Sequence, residues 1–389
     1  MNYIKRVLIK NHISILIATI ICLQNSIWPL WKGSLNVYLS YFCVFVLFFL
    51  KYFKIFKGKF DNRLLYALFI VLFAFVHFFL LSSTYNLSIL FILLTYIICF
   101  SLQDKEKNKA LSIVTKYIAI VVVISLPAWL LHLFFNVEIP VYNIIDLSDK
   151  KGANSYLLYN HILFLKYSGL EAFRFYSMFN EPGVLGTLSA FILFGNKYNF
   201  RKWENIVILL GGIFTYSMAF YILTIIGYFY FSIKSMKKFV ISIVFISLLS
   251  ISIYTWLKED IAFQRFVIER FGDLDFMERV NNRTEYNAEF FYDNFINSSD
   301  VLMGVGREYL IINGLEDAAS YKVFIIEYGL IGVLILLLMY LSMIKQITLT
   351  SFVFLFIFIL SFFQRPLSFT SWQLLVFACI LASLNNEKR

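Results

Sequence analysis

The feature that most constrains this chain is the repetition of long apolar runs separated by short charged connections. The runs fall roughly at 11–31, 35–53, 63–82, 85–102, 113–135, 182–196, 204–217, 218–233, 239–257, 321–343, 347–364 and 369–384. A helix needs about 20 predominantly apolar residues to cross a bilayer, so the pattern predicts about twelve transmembrane helices. Composition agrees. The chain is 60% hydrophobic and only 15% charged, where a soluble domain is about a quarter charged. The expected fold class is all-α: a polytopic integral membrane protein, with residues 1–389 forming one membrane domain. No repeat and no glycine- or serine-rich tract divides it. The net charge of +10 does not point to nucleic acid, because the lysines flank apolar runs rather than forming a basic face.

Loop charge orients the runs. With the N-terminus in the cytoplasm, the inside connections hold Lys51, Lys54, Lys57, Lys59 and Arg63, then Lys105, Lys107 and Lys109, then Lys197, Arg201 and Lys202. Lys234, Lys237, Lys238, Lys345, Lys388 and Arg389 follow on the same side. The short outside loops are nearly free of lysine, which is the positive-inside distribution. Merging 204–233 into one span would put Lys234, Lys237 and Lys238 outside. Two spans are therefore expected there, broken at "TYSMAF" (Thr215 to Phe220), and both termini are cytoplasmic. Lys5, Arg6 and Lys10 precede a first run that reads as a retained span rather than a signal peptide. Cys22, Cys43, Cys99 and Cys379 all lie inside apolar runs, so no external disulfide framework is implied.

Two outside segments are long, 136–181 and 258–321. Both are too aromatic for disordered linkers. Phe263 to Val280 has helical spacing of apolar residues and predicts a packed or interfacial helix. Tyr159 and His161 are expected on an aromatic external helix, as packing or sugar-stacking surface.

Lysine and arginine separate by side. The arginines collect outside: Arg174, Arg265, Arg270, Arg279, Arg283, Arg307 and Arg365. A guanidinium grips phosphate or carboxylate with a planar fork, so these positions suggest a surface for an anionic substrate. For Arg265, Arg270 and Arg279, acids in helical register make ion pairs the better fit. Arg365 sits in "FFQRPLSF", a very short connection, where an ionisable residue is a functional candidate. Gly304 and Gly306 beside Arg307 fit a backbone anion nest or a plain turn. Glu327, early in a span, fits a cavity-facing carboxylate. Ser217 fits a structural turn.

The stretch "FRFYSMFNEPGVLG" (Phe173 to Gly186) concentrates polar residues at the head of a span. Asn180 suits an N-cap, with Glu181 and Pro182 in the first turn. Gly183 and Gly186 permit close helix packing. A helix start accounts for all of these except Arg174. The functional alternative places an anion at the helix N-terminus, with Arg174 joining it and Glu181 as general base.

Here the chain resembles a family. An Arg followed by Phe-x-Glu-Pro-Gly at the head of a span is similar to bacterial O-antigen polymerases, the Wzy-like membrane glycosyltransferases, which are related to O-antigen ligases. "GGIFTYSMAFYILTIIGYF" (Gly211 to Phe229) resembles the family's Thr-x-Ser helix pair. "LMGVGREYL" (Leu302 to Leu310) resembles its Gly-x-Gly segment. "ASYKVFIIEYGLIGVLILL" (Ala319 to Leu337) resembles its return to the membrane, with Glu327, Gly329 and Gly332. The resemblance covers about 170 to 340.

It implies polymerisation of undecaprenyl-pyrophosphate-linked oligosaccharide units, of O-antigen or capsule type, at the outer face of the bacterial inner membrane. It implies no cofactor and no metal, and a chain-length regulator is a further candidate partner. Arg174, Arg283, Arg307 and Arg365 would hold pyrophosphate, with Glu181 and Arg174 catalytic and Asn180, Gly304, Gly306 and Glu327 as further candidates. The residues fit: outward arginines suit a lipid pyrophosphate leaving group, and a hydroxyl acceptor suits a carboxylate base. No cytoplasmic Asp-x-Asp is present. The related ligases carry a histidine near the end of the second large loop. Glu316 to Lys322 here has none, which favours polymerase over ligase. A flippase or other transporter of the same lipid-linked sugar is the remaining alternative, and the absence of a repeat argues against it.

Overall fold

In the computed structural model, the described residues are 2–25, 35–57, 62–81, 87–135, 137–146, 155–159, 161–166, 174–179, 181–233, scattered positions between 240 and 268, 286–315, 320–362 and 369–385. They are predominantly helical. In chain order the helices are α1 (Asn2–Asn25), α2 (Leu35–Lys57), α3 (Asn62–Leu80), α4 (Leu87–Ser101) and α5 (Asp104–Phe135). After a small sheet come α6 (Pro182–Gly195), α7 (Trp203–Phe214) and α8 (Met218–Ser232). Then follow α9 (Tyr286–Phe295), α10 (Arg307–Ile312), α11 (Ser320–Ser342), α12 (Leu349–Phe362) and α13 (Ser371–Asn385). Two stretches, Asp104–Phe135 and Tyr321–Ser342, are long and apolar enough to cross a membrane, and shorter apolar helices of 10–17 residues accompany them. The division expected within 204–233 is present: α7 ends at Phe214 and α8 begins at Met218.

The exception to helix is a three-stranded antiparallel sheet of order β1-β2-β3, with β1 Val141–Asp146, β2 Ser155–Tyr159 and β3 Leu163–Lys166. Tyr159 pairs with Leu163, so the β2–β3 connection is a tight hairpin turn. His161 and Ile162 carry it with φ of +67° and +57°, the left-handed backbone that closes hairpins. The helical expectation for Tyr159 and His161 is corrected. Runs such as "SYLLY" and "LFLK" pair as strands, a conformation in which aromatic residues are favoured.

The chain forms two compact units. One comprises Met1–Gln24, Val37–Leu111 and Asp275–Arg389, and the other Asn25–Asn36 and Ser112–Leu274. Each has a helix buried on nearly every side. In the second unit this is α6, buried from Gly183 to Gly195; it packs on α7 and α8. In the first it is α13, where nearly every side chain from Ser371 to Leu384 is buried; it packs on α4 and α12. Helices apolar all round belong in such positions. Rings from three helices lock α13: Tyr340 lies 4.9 Å from Phe377 and 4.7 Å from Phe358. Edge-to-face and tilted pairs of this kind contribute about 1 kcal/mol each beyond area burial.

The outward surface of the first unit is apolar as well. Phe42, Phe45 and Phe49 on α2 and Tyr66, Phe69 and Phe73 on α3 are all exposed, Phe69 by 68%. Their spacing of three and four residues makes a continuous stripe on each helix. In water such a stripe would be an association surface; against hydrocarbon it carries no penalty.

Candidate functional site

In the second unit, the break between α7 and α8 is the point around which the polar residues gather. Thr215–Ser217 carry the chain between the helices, and Tyr216 holds φ at +47°, which costs a non-glycine residue about 1–2 kcal/mol. A helix end leaves carbonyls without helical donors. Arg174 supplies donors here: its Nε donates to the Thr215 carbonyl at 3.0 Å and an Nη donates to the Tyr216 carbonyl at 3.2 Å. The Phe175 N–H donates to the Phe214 carbonyl at 3.0 Å. The Tyr221 hydroxyl donates to the Ile213 carbonyl at 2.6 Å, and Thr215 Oγ1 to the Gly212 carbonyl at 2.6 Å. Every carbonyl from Gly212 to Tyr216 thus has a donor.

Arg174 is only 6% exposed. Trp129 seals the site, with its ring 5.6 Å from Phe175 and 5.5 Å from Phe214. Ser177, at φ +53°, lies 2.7 Å from Ser125 by their hydroxyls.

Five residues past the serine, α6 begins. Glu181 is its N-cap, in extended conformation, and its side chain makes no cap hydrogen bond; Pro182 follows at the first helical position. The cap expected at Asn180 is therefore corrected by one residue, and Asn180 itself lies outside the described residues. Proline fits the first helical position because it needs no N–H donor and presets φ, which moves the cap to the residue before it. The half-buried Glu181 carboxylate stands at the positive end of α6, where the helix dipole favours its charge. Gly186 lets α6 reach the break. A Cβ there would stand 2.9 Å from Ser217 Cβ and 3.0 Å from Thr215 Oγ1.

In the first unit, α11 is interrupted at Gly329, with φ +65° and ψ −176°. The carbonyls released by the interruption are met from elsewhere. The Val305 N–H donates to the Ile326 carbonyl at 2.8 Å, and the Gly306 N–H to the Glu327 carbonyl at 3.0 Å. His77 Nε2 lies 2.8 Å from the Tyr328 carbonyl, a spacing at which the Nε2–H tautomer donates. The released N–H of Ile331 donates to the Leu302 carbonyl at 3.1 Å.

Of the two readings open for Gly304 and Gly306, an anion nest or a structural turn, these bonds fit the structural one. The Gly304 N–H donates to the Asp300 carbonyl at 2.7 Å, so the three consecutive N–H groups from 304 to 306 all have protein acceptors. An interrupted helix in an apolar setting needs those donors itself. Glu327 is 8% exposed, its carboxylate engages the Tyr328 hydroxyl, and Arg307 stands within electrostatic reach of that hydroxyl. Arg307 is exposed at the start of α10.

Arg283 and Arg365 lie outside the described residues, as do Arg265, Arg270 and Arg279. His77 and Tyr328 join these sites without having been singled out by sequence. An ionisable residue inside an apolar run was the one signal for His77. No protein-family model, no curated protein and no solved structure matches this chain.

Proposed function

We propose that this chain is a polytopic membrane glycosyltransferase of about twelve spans, a polysaccharide polymerase. It joins oligosaccharide units carried on undecaprenyl pyrophosphate at the outer face of the bacterial inner membrane, with both termini cytoplasmic. One observation carries the reading. The four segments on which the resemblance rests associate two by two: the Arg174–Gly186 segment with the α7–α8 break, and the Leu302–Leu310 segment with the interrupted α11. The exposed phenylalanine stripes of α2 and α3 support the membrane setting.

In this reading the acceptor hydroxyl loses its proton to the Glu181 carboxylate as its oxygen bonds the anomeric carbon of the donor sugar. The bond from that carbon to the lipid pyrophosphate breaks, and the leaving phosphates take the electron pair. Outward guanidinium groups are the side chains suited to that charge. Arg174, with its guanidinium on two carbonyls, acts by positioning: it holds the chain that leads into Glu181.

The test is the glycan ladder in a host supplied with the repeat-unit pathway, comparing the chain present, absent, and carrying Glu181→Gln at matched membrane abundance. A ladder that collapses to a single capped unit both without the chain and with Glu181→Gln supports polymerisation with Glu181 as base. Loss of every surface glycan in the deletion, the single unit included, replaces this reading with ligase or flippase. An unchanged ladder with Glu181→Gln removes Glu181 from the chemistry.

A further inference from the structure

At the end of α11 remote from Gly329, five helix ends of the first unit surround a small, partly open cavity. Arg63 comes from the start of α3, Cys99 from the end of α4, Asp104 and Lys107 from the start of α5, Lys345 from the turn after α11, and Asn385 from the end of α13. Three cations and one carboxylate therefore converge on one opening. The carboxylate is engaged: Asp104 accepts a hydrogen bond from Lys345 Nζ at 3.0 Å, on the half-exposed rim. Arg63 donates to the Ile344 carbonyl.

Lys107 is different. Its residue is 5% exposed, it lines the cavity, and among the described residues its ammonium has no hydrogen-bond or ion-pair partner. The adjacent acid does not serve it, because Glu106 is held by the fully buried Lys51 at 2.6 Å. The groups facing Lys107 are the thiols of Cys99 and Cys379, the ammonium of Lys345 and the already paired Asp104. An ammonium on a nearly buried residue, whose facing carboxylate is already engaged by a second lysine, is unfavourable, and an anion entering from the mouth offsets the penalty.

We propose that this cavity binds a phosphate ester anion, with Lys107 as its buried partner and Arg63 and Lys345 at the rim. The chemistry is that of a lipid headgroup phosphate, and it is shared by free phosphate. The headgroup source rests on the membrane reading above. In that reading the cavity opens at the end the lysine distribution assigns to the cytoplasm, where basic pockets between helices meet anionic lipid.

The test uses the purified full chain in detergent. Its thermal unfolding midpoint is followed as phosphatidylglycerol, phosphatidylcholine or inorganic phosphate is added at constant ionic strength. Phosphatidylglycerol is expected to raise the midpoint more than phosphatidylcholine. Lys107→Met is expected to weaken that response by about tenfold or more, the scale of one charge-assisted contact, while leaving the lipid-free midpoint equal or higher. Lys345→Gln, on the exposed rim, weakens it by about threefold and serves as the second variant, because its folding does not depend on a buried group. If inorganic phosphate alone reproduces the Lys107-dependent shift, the anion site stands and its ligand is free phosphate. Equal responses of wild type, Lys107→Met and Lys345→Gln to every addition, or no response at all, overturn the proposal. Because the readout is lipid or phosphate binding rather than glycan length, it fails independently of the polymerase reading.

Discussion

The two helix breaks pose one problem and answer it with different chemistry. At the α7–α8 break the stranded carbonyls of Thr215 and Tyr216 are met by a side chain, the guanidinium of Arg174. At the α11 break the stranded carbonyls of Ile326 and Glu327 are met by main-chain N–H groups of Val305 and Gly306. A side chain reaches across a gap, so it tolerates neighbours of ordinary size. A main chain has to come into contact, so Cβ atoms are excluded where the two backbones cross. The glycines follow from this. A Cβ on Gly304 would lie 2.6 Å from the Glu327 carbonyl oxygen, and one on Gly329 would lie 2.4 Å from the Leu302 carbonyl oxygen. The first break is thus vulnerable to loss of a charge, the second to gain of a methyl group.

The largest effect is expected at the backbone crossing. Gly304→Ala and Gly329→Ala should each destabilise the chain by about 4 kcal/mol, because positive φ and overlap with rigid backbone act together. Thermal unfolding in detergent and the yield of monodisperse protein measure it; wild-type behaviour of both variants would break the contrast between the breaks. Arg174→Ala comes next, at about 3 kcal/mol, since two buried carbonyls lose a charged donor. Arg174→Lys should recover about half, because an ammonium reaches one carbonyl well but lacks the fork. If the lysine variant is as unstable as alanine, the fork geometry rather than the charge holds the break. If both are fully stable while the glycan ladder is lost, Arg174 acts on substrate instead.

A smaller effect is expected at Gly186→Ala, about 1–2 kcal/mol. The atoms its methyl would meet belong to side chains of Ser217, Thr215 and Phe220, which shift more easily than backbone. The smallest effect concerns α9, which precedes the glycine crossing. Burial, helped by Tyr321, Asp293 and Glu289, pushes the Tyr292 hydroxyl up to about 12, from about 10 in an unfolded chain. The folded state therefore favours the neutral phenol. Its contribution is complete below pH about 10 and is lost as pH rises towards about 12. Tyr292→Phe should flatten that part of the stability profile, and an unchanged slope would remove Tyr292 as its source.

Legibility in the sequence was uneven for physical reasons. The helices and the division near Thr215 were visible because apolar length and lysine placement are local properties. Glu181 and Pro182 were visible as a helix start for the same reason, with an error of one residue at the cap. Gly304 and Gly306 fit an anion nest or a plain turn on sequence grounds alone, since a glycine pair indicates only that backbone comes close, not what it approaches. The sheet at 141–166 was read as helix at Tyr159 and His161, because short aromatic runs carry too few residues to separate the two periods.

The sequence alone determined which segments form apolar helices, where the chain breaks between α7 and α8, and which residues at those boundaries are polar. Each depends on residues within a few positions of one another. Only the tertiary structure decided the partners: Arg174 on Thr215 and Tyr216, His77 on Tyr328, Val305 on Ile326, and Lys345 on the Asp104 that also faces Lys107. The physical reason is that a buried polar group must find a partner somewhere. Sequence shows that the need exists, but only the packing of distant helices brings a particular donor within reach.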